Sequence, residues 1–317
     1  MALTILKVGG FDMLPRLRDE LEKRGEYFVD SNLAPEERKA VRARTDIVVA
    51  SGNSCWQKED FDGAPSLKAI VCFSVGYDRI DWQEAARRNV FVTHTPDVLN
   101  DDVADTAIML MLNTMREFKA TQEYVEAGKW GTAPMYPLTH SPAHRKVGIA
   151  GLGRIGSEIA DRCKAFKMEI GYYGRNRKDV PYQYFDNLKD MAAWCDVMIL
   201  AMPASPDNRH AVNKEVLSAL GSEGYLINIA RGSIVNTADL IECLDNKVIA
   251  GAGLDVYENE PEVPKELMNR PNVALQPHTA SATWETRDAM ADLVLRNLDA
   301  ILEGRAPVTP VPGTRTV

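Results

Sequence analysis

Short apolar runs alternate with segments of helical periodicity along nearly the whole chain. Leu3 to Val8 forms the first run; Leu14, Leu17 and Leu21 follow at helical spacing before Gly25, and Tyr27 to Val29 forms the next run. A charged helix is predicted over Pro35 to Arg44, ahead of apolar runs at Ile47 to Ala50 and Ala69 to Cys72. A further helix around Trp82 to Arg88 leads into Val90 to Thr93. Strands alternating with helices in this way predict a parallel α/β domain. One long amphipathic helix is then expected from about Asp102 to Lys129, with acidic residues opening it and Gly128 closing it. A stretch rich in Pro, His and Ser, Gly131 to Arg145, reads as an ordered junction.

Beyond the junction the alternation resumes. Val147 to Ala150, Glu169 to Tyr173, Val197 to Leu200, Tyr225 to Ile229, Ile249 to Asp255 and Val273 to Gln276 predict a second doubly wound parallel sheet. A last helix spans Trp284 to Glu303, and the tail Arg305 to Val317 has no clear period.

Composition narrows the class. The chain has 317 residues, 45% of them hydrophobic and 26% charged, which suffices for two buried cores. A net charge of −8 disfavours sequence-independent binding to nucleic acid, because the phosphates would be repelled overall. The five cysteines are scattered singly with no C-x-x-C pair, which points to a reducing compartment rather than a disulfide framework or a zinc ribbon. His140 and His144 stand four apart, but Pro142 between them argues against a shared helix face, so no metal site is expected. Lys7 interrupts what would be the apolar part of a signal segment, and the longest apolar run, Ala107 to Leu112, is far too short for a membrane span. A cytoplasmic protein with neither membrane nor nucleic-acid partner is expected.

The strongest local motif is Gly151-Leu152-Gly153-Arg154-Ile155-Gly156, directly after the run Val147 to Ala150 and at the start of a helical pattern. The first glycine allows the turn, the second lets backbone approach a pyrophosphate, the third permits close packing of helix on strand, and the helix start supplies N–H groups. An NAD site usually carries Asp or Glu about 20 residues further on, at the end of the second strand. This chain has Gly174-Arg175-Asn176-Arg177-Lys178 there. Gly174 leaves room for a 2′-phosphate, and Arg175 and Arg177 can pair with the dianion, so NADP(H) is expected in preference to NAD(H). The bland alternative is a solvated basic loop.

Three more segments end predicted strands and carry ionisable groups: Asn228-Ile229-Ala230-Arg231-Gly232, Asp255 to Pro261 with Glu258 and Glu260, and Gln276 to Thr283 with His278. Ligands of open α/β sheets bind outside the carboxyl ends of the strands, so these groups could share one cleft; a salt bridge or loop cap explains any one of them equally well.

Together with Val75-Gly76-Tyr77-Asp78-Arg79-Ile80-Asp81, these motifs resemble, in order and spacing, the D-isomer-specific 2-hydroxyacid dehydrogenases over nearly the whole chain. The Gly-Arg-Asn-Arg loop is most similar to that of the NADPH-dependent glyoxylate and hydroxypyruvate reductases. The resemblance implies a flavodoxin-like substrate domain, residues 1–98 with 287–317, and a Rossmann cofactor domain, residues 99–286. It implies that His278 is the acid/base, Glu260 its carboxylate partner, and Arg231 the cation for the substrate carboxylate and carbonyl. Reducing a 2-oxo acid develops negative charge on oxygen, so a proton donor and a fixed cation belong together there, and a neighbouring carboxylate favours the charged form of histidine. It further implies backbone N–H groups of Val75 and Gly76 at the substrate carboxylate. Ser51, Gly52, Asn53 and Trp284 would serve as pocket walls, and Thr106, Pro203, Ile229, Ala230, Asp255 and Ser281 would lie along the cofactor.

The chain departs from many relatives in having Thr279 and Ala280 before Ser281, where a glycine is common. The expected reaction is reduction of glyoxylate and hydroxypyruvate to glycolate and D-glycerate, in a homodimer whose arm is the long helix. Open alternatives are a hydroxyphenylpyruvate-type or phosphoglycerate-type dehydrogenase, and a non-catalytic cofactor-sensing corepressor.

Overall fold

A computed structural model of the chain describes residues 3–11 and 13–315. Two compact units form, one from residues up to Leu99 together with Ala282 onward, the other from Asn100–Ser281. The return crossing falls at Ser281–Ala282, ahead of the last helix, where the expected boundary stood at 286–287.

In the first unit the strands β1 (Thr4–Lys7), β2 (Glu26–Val29), β3 (Ile47–Ala50), β4 (Ala69–Cys72) and β5 (Phe91–Thr93) alternate with helices α1 (Pro15–Arg24), α2 (Pro35–Arg44), α3 (Lys58–Asp62) and α4 (Trp82–Arg87). All pairings are parallel, in the order β2-β1-β3-β4-β5. β3 and β4 are continuous apolar runs because every residue in them is buried. Proline at the first turn of α1 and α2 fits the position where a missing N–H costs no hydrogen bond.

The second unit opens with α5 (Asn100–Met115) and α6 (Phe118–Glu126), and continues through β6 (Lys146–Ala150), α7 (Arg154–Ala165), β7 (Glu169–Tyr173), β8 (Gln183–Phe185), α8 (Leu188–Trp194), β9 (Val197–Leu200), α9 (Lys214–Leu220), β10 (Tyr225–Asn228), α10 (Thr237–Asp245), β11 (Gly251–Leu254) and β12 (Val273–Leu275). Its seven parallel strands run β12-β11-β10-β9-β6-β7-β8, so the order reverses between β6 and β9, where an open α/β sheet presents its ligand crevice. The expectation of two doubly wound parallel sheets holds. The last helix, α11 (Trp284–Leu302), rejoins the first unit, packing on β4 and α1, where Arg16 and Arg24 of α1 pair with Asp288, Asp292 and Asp299.

Two expectations need correcting. The helix expected from Asp102 to Lys129 is two helices, because Glu117 adopts a left-handed backbone (φ 48°) between them. α5 is buried along one face by residues from Val103 to Met115, whereas no residue of α6 is buried, so the first helix stops where its packing partner stops. The Tyr136 hydroxyl donates to Glu117 at 2.7 Å and the His140 N–H to the Met115 carbonyl at 3.1 Å, which ties the junction back onto the break. The edge strand β8 was not expected, since its short sequence lacks an apolar run. Among the described residues no helix is long and apolar enough to cross a membrane.

Candidate active site

The glycine motif occupies the turn from β6 into α7. Gly151 has φ 99°, and a Cβ there would lie 2.7 Å from the Met202 backbone; a Cβ on Gly156 would lie 2.1 Å from the Gly151 carbonyl oxygen. Both contacts demand glycine. Gly153 differs, because nothing lies within 4 Å of its Cβ position, and it caps α7 without any side-chain hydrogen bond. The start of α7 therefore has no side-chain cap and adjoins a backbone that an anion can approach.

A hollow of about 200 Å³ adjoins this turn, lined by Leu152, Gly153, Tyr172, Gly174, Arg175, Asn176 and Lys178. The basic loop is folded by two tyrosines: the Lys178 N–H donates to the Tyr172 hydroxyl at 2.6 Å, and the Tyr184 hydroxyl donates to the Gly174 carbonyl at 3.1 Å. The Lys178 ammonium donates to the Leu152 carbonyl, so a cation spans the mouth of the glycine turn. Of the residues expected here, Gly174, Arg175 and Asn176 line the hollow, while Arg177 is exposed outside that lining. These features fit a dinucleotide with a phosphate beyond its pyrophosphate: donors at a helix start, an open glycine, and two cations at the end of β7 where a carboxylate would repel.

The ionisable segments follow β10, β11 and β12, adjacent parallel strands whose ends Asn228, Leu254 and Leu275 are level in register. His278 has a left-handed backbone (φ 55°), an uncommon conformation for a residue other than glycine, fixed by its N–H to the Asp255 carbonyl at 2.8 Å. Its Nδ1 lies 2.8 Å from Glu260 Oε2, and Glu260 Oε1 accepts the Tyr257 N–H at 3.0 Å. The carboxylate takes up Nδ1, which leaves Nε2 as the nitrogen able to pass a proton to a ligand. Asp255 is buried, and burial pushes its carboxyl above the usual range; its two oxygens accept the N–H groups of Thr279 (2.8 Å) and Ala280 (3.1 Å), holding the His278 loop. The Thr106 hydroxyl reaches the Ala280 carbonyl at 3.4 Å, and Ser281 follows, half-buried.

Arg231 donates to the Ala230 carbonyl at 2.8 Å, and Asn228 folds the segment by accepting the Ala230 N–H and donating to the Arg231 carbonyl, both at 3.0 Å. Asn228 and Lys178 stand in the motifs quoted from the sequence without an assigned role, and Tyr172 lies outside them. An Asn at a strand end two residues before its hydrogen-bond partner is a turn signal that could have found the first. Ile229 and Ala230 are buried, and Pro203 is exposed. Among the described residues no three His, Cys, Asp or Glu side chains are grouped to hold a metal ion.

The residues expected on the substrate side belong to the first unit. There the Val75 carbonyl is taken up by His94 Nδ1 at 3.0 Å and the Gly76 carbonyl accepts the Ser74 hydroxyl at 2.7 Å. Among the described residues, the Val75 and Gly76 N–H groups enter no hydrogen bond, an arrangement suited to an anion. Ser51 and Ser54 close a turn around Gly52 and Asn53 (Ser54 N–H to Ser51 carbonyl, 3.0 Å), anchored by the Ser54 hydroxyl on the Val8 carbonyl at 2.8 Å. Trp284 is 76% exposed at the start of α11.

Residues 108–280 match the family described as D-isomer specific 2-hydroxyacid dehydrogenase, NAD binding domain. The chain is 41% identical to a 2-ketogluconate reductase of Gluconobacter oxydans over 300 residues, covering 94% of this chain and 96% of the relative. It is 42% identical to glyoxylate/hydroxypyruvate reductase A of Arabidopsis thaliana over 302 residues, covering 93% and 95%. A crystal structure of an NADPH-dependent glyoxylate/hydroxypyruvate reductase from Sinorhizobium meliloti, in complex with NADP and malonate, superposes with a TM-score of 0.91 at 40% identity, covering 100% of this chain and 98% of the other.

Proposed function

The chain belongs to the D-isomer-specific 2-hydroxyacid dehydrogenase family, and on that premise we propose that it is an NADPH-dependent reductase of small 2-oxo acids, converting glyoxylate to glycolate and hydroxypyruvate to D-glycerate. The observation that carries this assignment is the His278–Glu260 pair at 2.8 Å, beyond the carboxyl ends of the same neighbouring strands that Arg231 follows. A bound nicotinamide cofactor supplies the hydride. His278, oriented through Nδ1 by Glu260, donates the Nε2 proton to the carbonyl oxygen as charge builds on it, and Arg231 holds that oxygen and the carboxylate electrostatically.

Preference for NADPH is supported by Arg175 and Lys178 in the hollow at the end of β7, among whose described lining residues there is no carboxylate. The named relatives include a reductase of the longer acid 2-ketogluconate, and the two small acids are the substrates shared by the names of the Arabidopsis and Sinorhizobium proteins. We further propose a homodimer: Phe118, Val125, Trp130, Met135 and Leu138, in and after α6, are exposed large apolar side chains that a second copy would cover.

The His278→Gln variant tests the enzymatic role against that of a cofactor-sensing binding protein. Turnover should vanish while NADPH binding stays nearly intact. Wild-type turnover in the variant would remove His278 as the proton donor.

A further inference from the structure

The second unit contains another histidine–carboxylate pair, away from the reacting groups assigned above. His210 Nε2 lies 2.6 Å from Glu258 Oε1, and the Arg209 guanidinium donates to the same oxygen at 2.7 Å. The Glu258 side chain is only 16% exposed. Burial raises its carboxyl, but hydrogen bonds from His210 and Thr237 outweigh that and hold it below its ordinary value, so it is an ionised acceptor and His210 Nε2 carries the proton between them. The His210 backbone is left-handed (φ 53°), and its N–H donates to the Ser233 carbonyl at 2.9 Å.

The pair therefore joins two segments, and each of them carries a group of the proposed reaction. Ser233 follows Arg231 and Gly232; Glu258 precedes Glu260. Between them the backbones touch: a Cβ on Gly232 would lie 1.9 Å from the Tyr257 carbonyl carbon and 2.3 Å from the Glu258 nitrogen. Tyr257 in turn donates its N–H to Glu260. Behind this junction lies a cavity of about 180 Å³, whose lining includes Gly232, Val235, Thr237, Tyr257, Glu258 and Glu262. That side of the junction is less closely packed, and there the polar clamp adds to the backbone hydrogen bonds Val212 N–H to Ile234 carbonyl and Asn236 N–H to Val212 carbonyl, both 2.9 Å.

We infer that His210 and Glu258 are positioning residues for the reduction, a second His–Glu clamp that holds the Arg231 segment against the Glu260 turn and so sets where Arg231 stands relative to His278. Neither needs to touch the substrate. The inference rests on the reductase reading of that site. The consequence is kinetic: loss of the clamp lets the Gly232–Tyr257 junction shift, and a misplacement of about 1 Å in a reacting group costs about 10²-fold in rate. The dinucleotide turn at Gly151–Gly156 hangs on different contacts and should not feel it.

The test uses the full-length protein, with NADPH binding measured by titration, and kcat and KM for glyoxylate and hydroxypyruvate measured per NADPH-binding site. Glu258→Ala and His210→Ala should each lower kcat by about 10- to 100-fold and raise the oxo-acid KM, with the NADPH dissociation constant within about twofold of wild type. The double variant should be no worse than the worse single one, because the two residues act as one unit. His210→Gln keeps an N–H donor at a similar reach and should recover most of kcat. Glu258→Gln, which keeps the shape, serves if the alanine variant does not fold, and should show the same kcat loss in milder form. The inference is overturned if kcat per binding site is unchanged in the Glu258 variant. It is also overturned if kcat and NADPH affinity decline in parallel, or if His210→Gln is no better than His210→Ala. A wild-type protein that binds NADPH but turns over no 2-oxo acid would instead refute the reductase reading itself.

Discussion

Replacing Glu260 by Gln exchanges one carboxylate oxygen for an NH2 group and leaves two donors competing for one acceptor. In the native site Oε1 accepts the Tyr257 N–H at 3.0 Å and Oε2 binds His278 Nδ1 at 2.8 Å, so each carboxylate oxygen has its own proton. A carboxamide has one oxygen and an NH2 group. If the oxygen stays with Tyr257, the NH2 faces the imidazole and Nδ1 can no longer hold a proton there; if it turns to His278, the buried-side N–H of Tyr257 loses its partner. Either way a charge-assisted hydrogen bond to a mostly buried carboxylate, 19% exposed, is lost. Hydrogen bonds to charged groups contribute about 1.5–3 kcal/mol, so kcat for the reductive direction should fall about 10- to 150-fold. The same variant should bind NADPH as the wild type does, since no residue of the glycine turn or the basic loop is touched. Initial rates at saturating NADPH and varied oxo acid separate kcat from KM. An unchanged kcat, or a loss of cofactor affinity as large as the loss of rate, would refute the role of Glu260 as the partner of His278.

Changing Gly174 to Asp and Arg175 to Ile removes a cation and adds like charge beside the 2′-phosphate site, so the ratio of kcat/KM for NADPH over NADH should fall at least about tenfold; an unaltered ratio in paired assays would remove the basic loop from cofactor selection. Gly151→Ala combines a left-handed backbone with a Cβ 2.7 Å from Met202, and should destabilise the fold by about 2–5 kcal/mol in urea titrations; an unmoved midpoint would contradict the geometry of the turn. Because its carboxyl is held below the ordinary 4.5, Glu258 stabilises the fold fully above that pH, and the contribution is lost as pH falls through its depressed value. The stability gap between wild type and Glu258→Gln should therefore close on acidification below about 4.5, and a gap that widens there would reverse the sign. Light scattering should report twice the chain mass, and Trp130→Asp with Leu138→Asp should shift the protein toward the monomer; a wild-type monomer at working concentration would sink the proposed dimer.

Much of the architecture is legible in the sequence because its causes are local. Fully buried parallel strands such as β3, β4 and β9 must be apolar throughout, so they stand out as runs, and the glycine motif is visible because two of its positions exclude any side chain. What escaped depends on distant partners. β8 is an edge strand with a polar end and becomes a strand only because β7 is there to pair with it. The stop at Glu117 involves neither Pro nor Gly; it follows from the end of the buried face of α5 and from Tyr136 binding back. At the site, the residue types Arg231, Glu260 and His278 are readable from motif order, but the work of Asp255, whose carboxylate holds the loop after His278, is set by register between β11 and β12. The His210–Glu258 contact joins residues 48 apart in the chain, and neither lies in a pattern that periodicity detects.

The most direct test of the central claim is the initial rate of reduced-cofactor oxidation, with NADPH or NADH, against glyoxylate, hydroxypyruvate, pyruvate and phenylpyruvate-type acids. Rapid oxidation of NADPH with the two small acids, slower with NADH and with the bulky acids, is the predicted result. A protein that binds NADPH yet oxidises it with none of these acids would contradict the account.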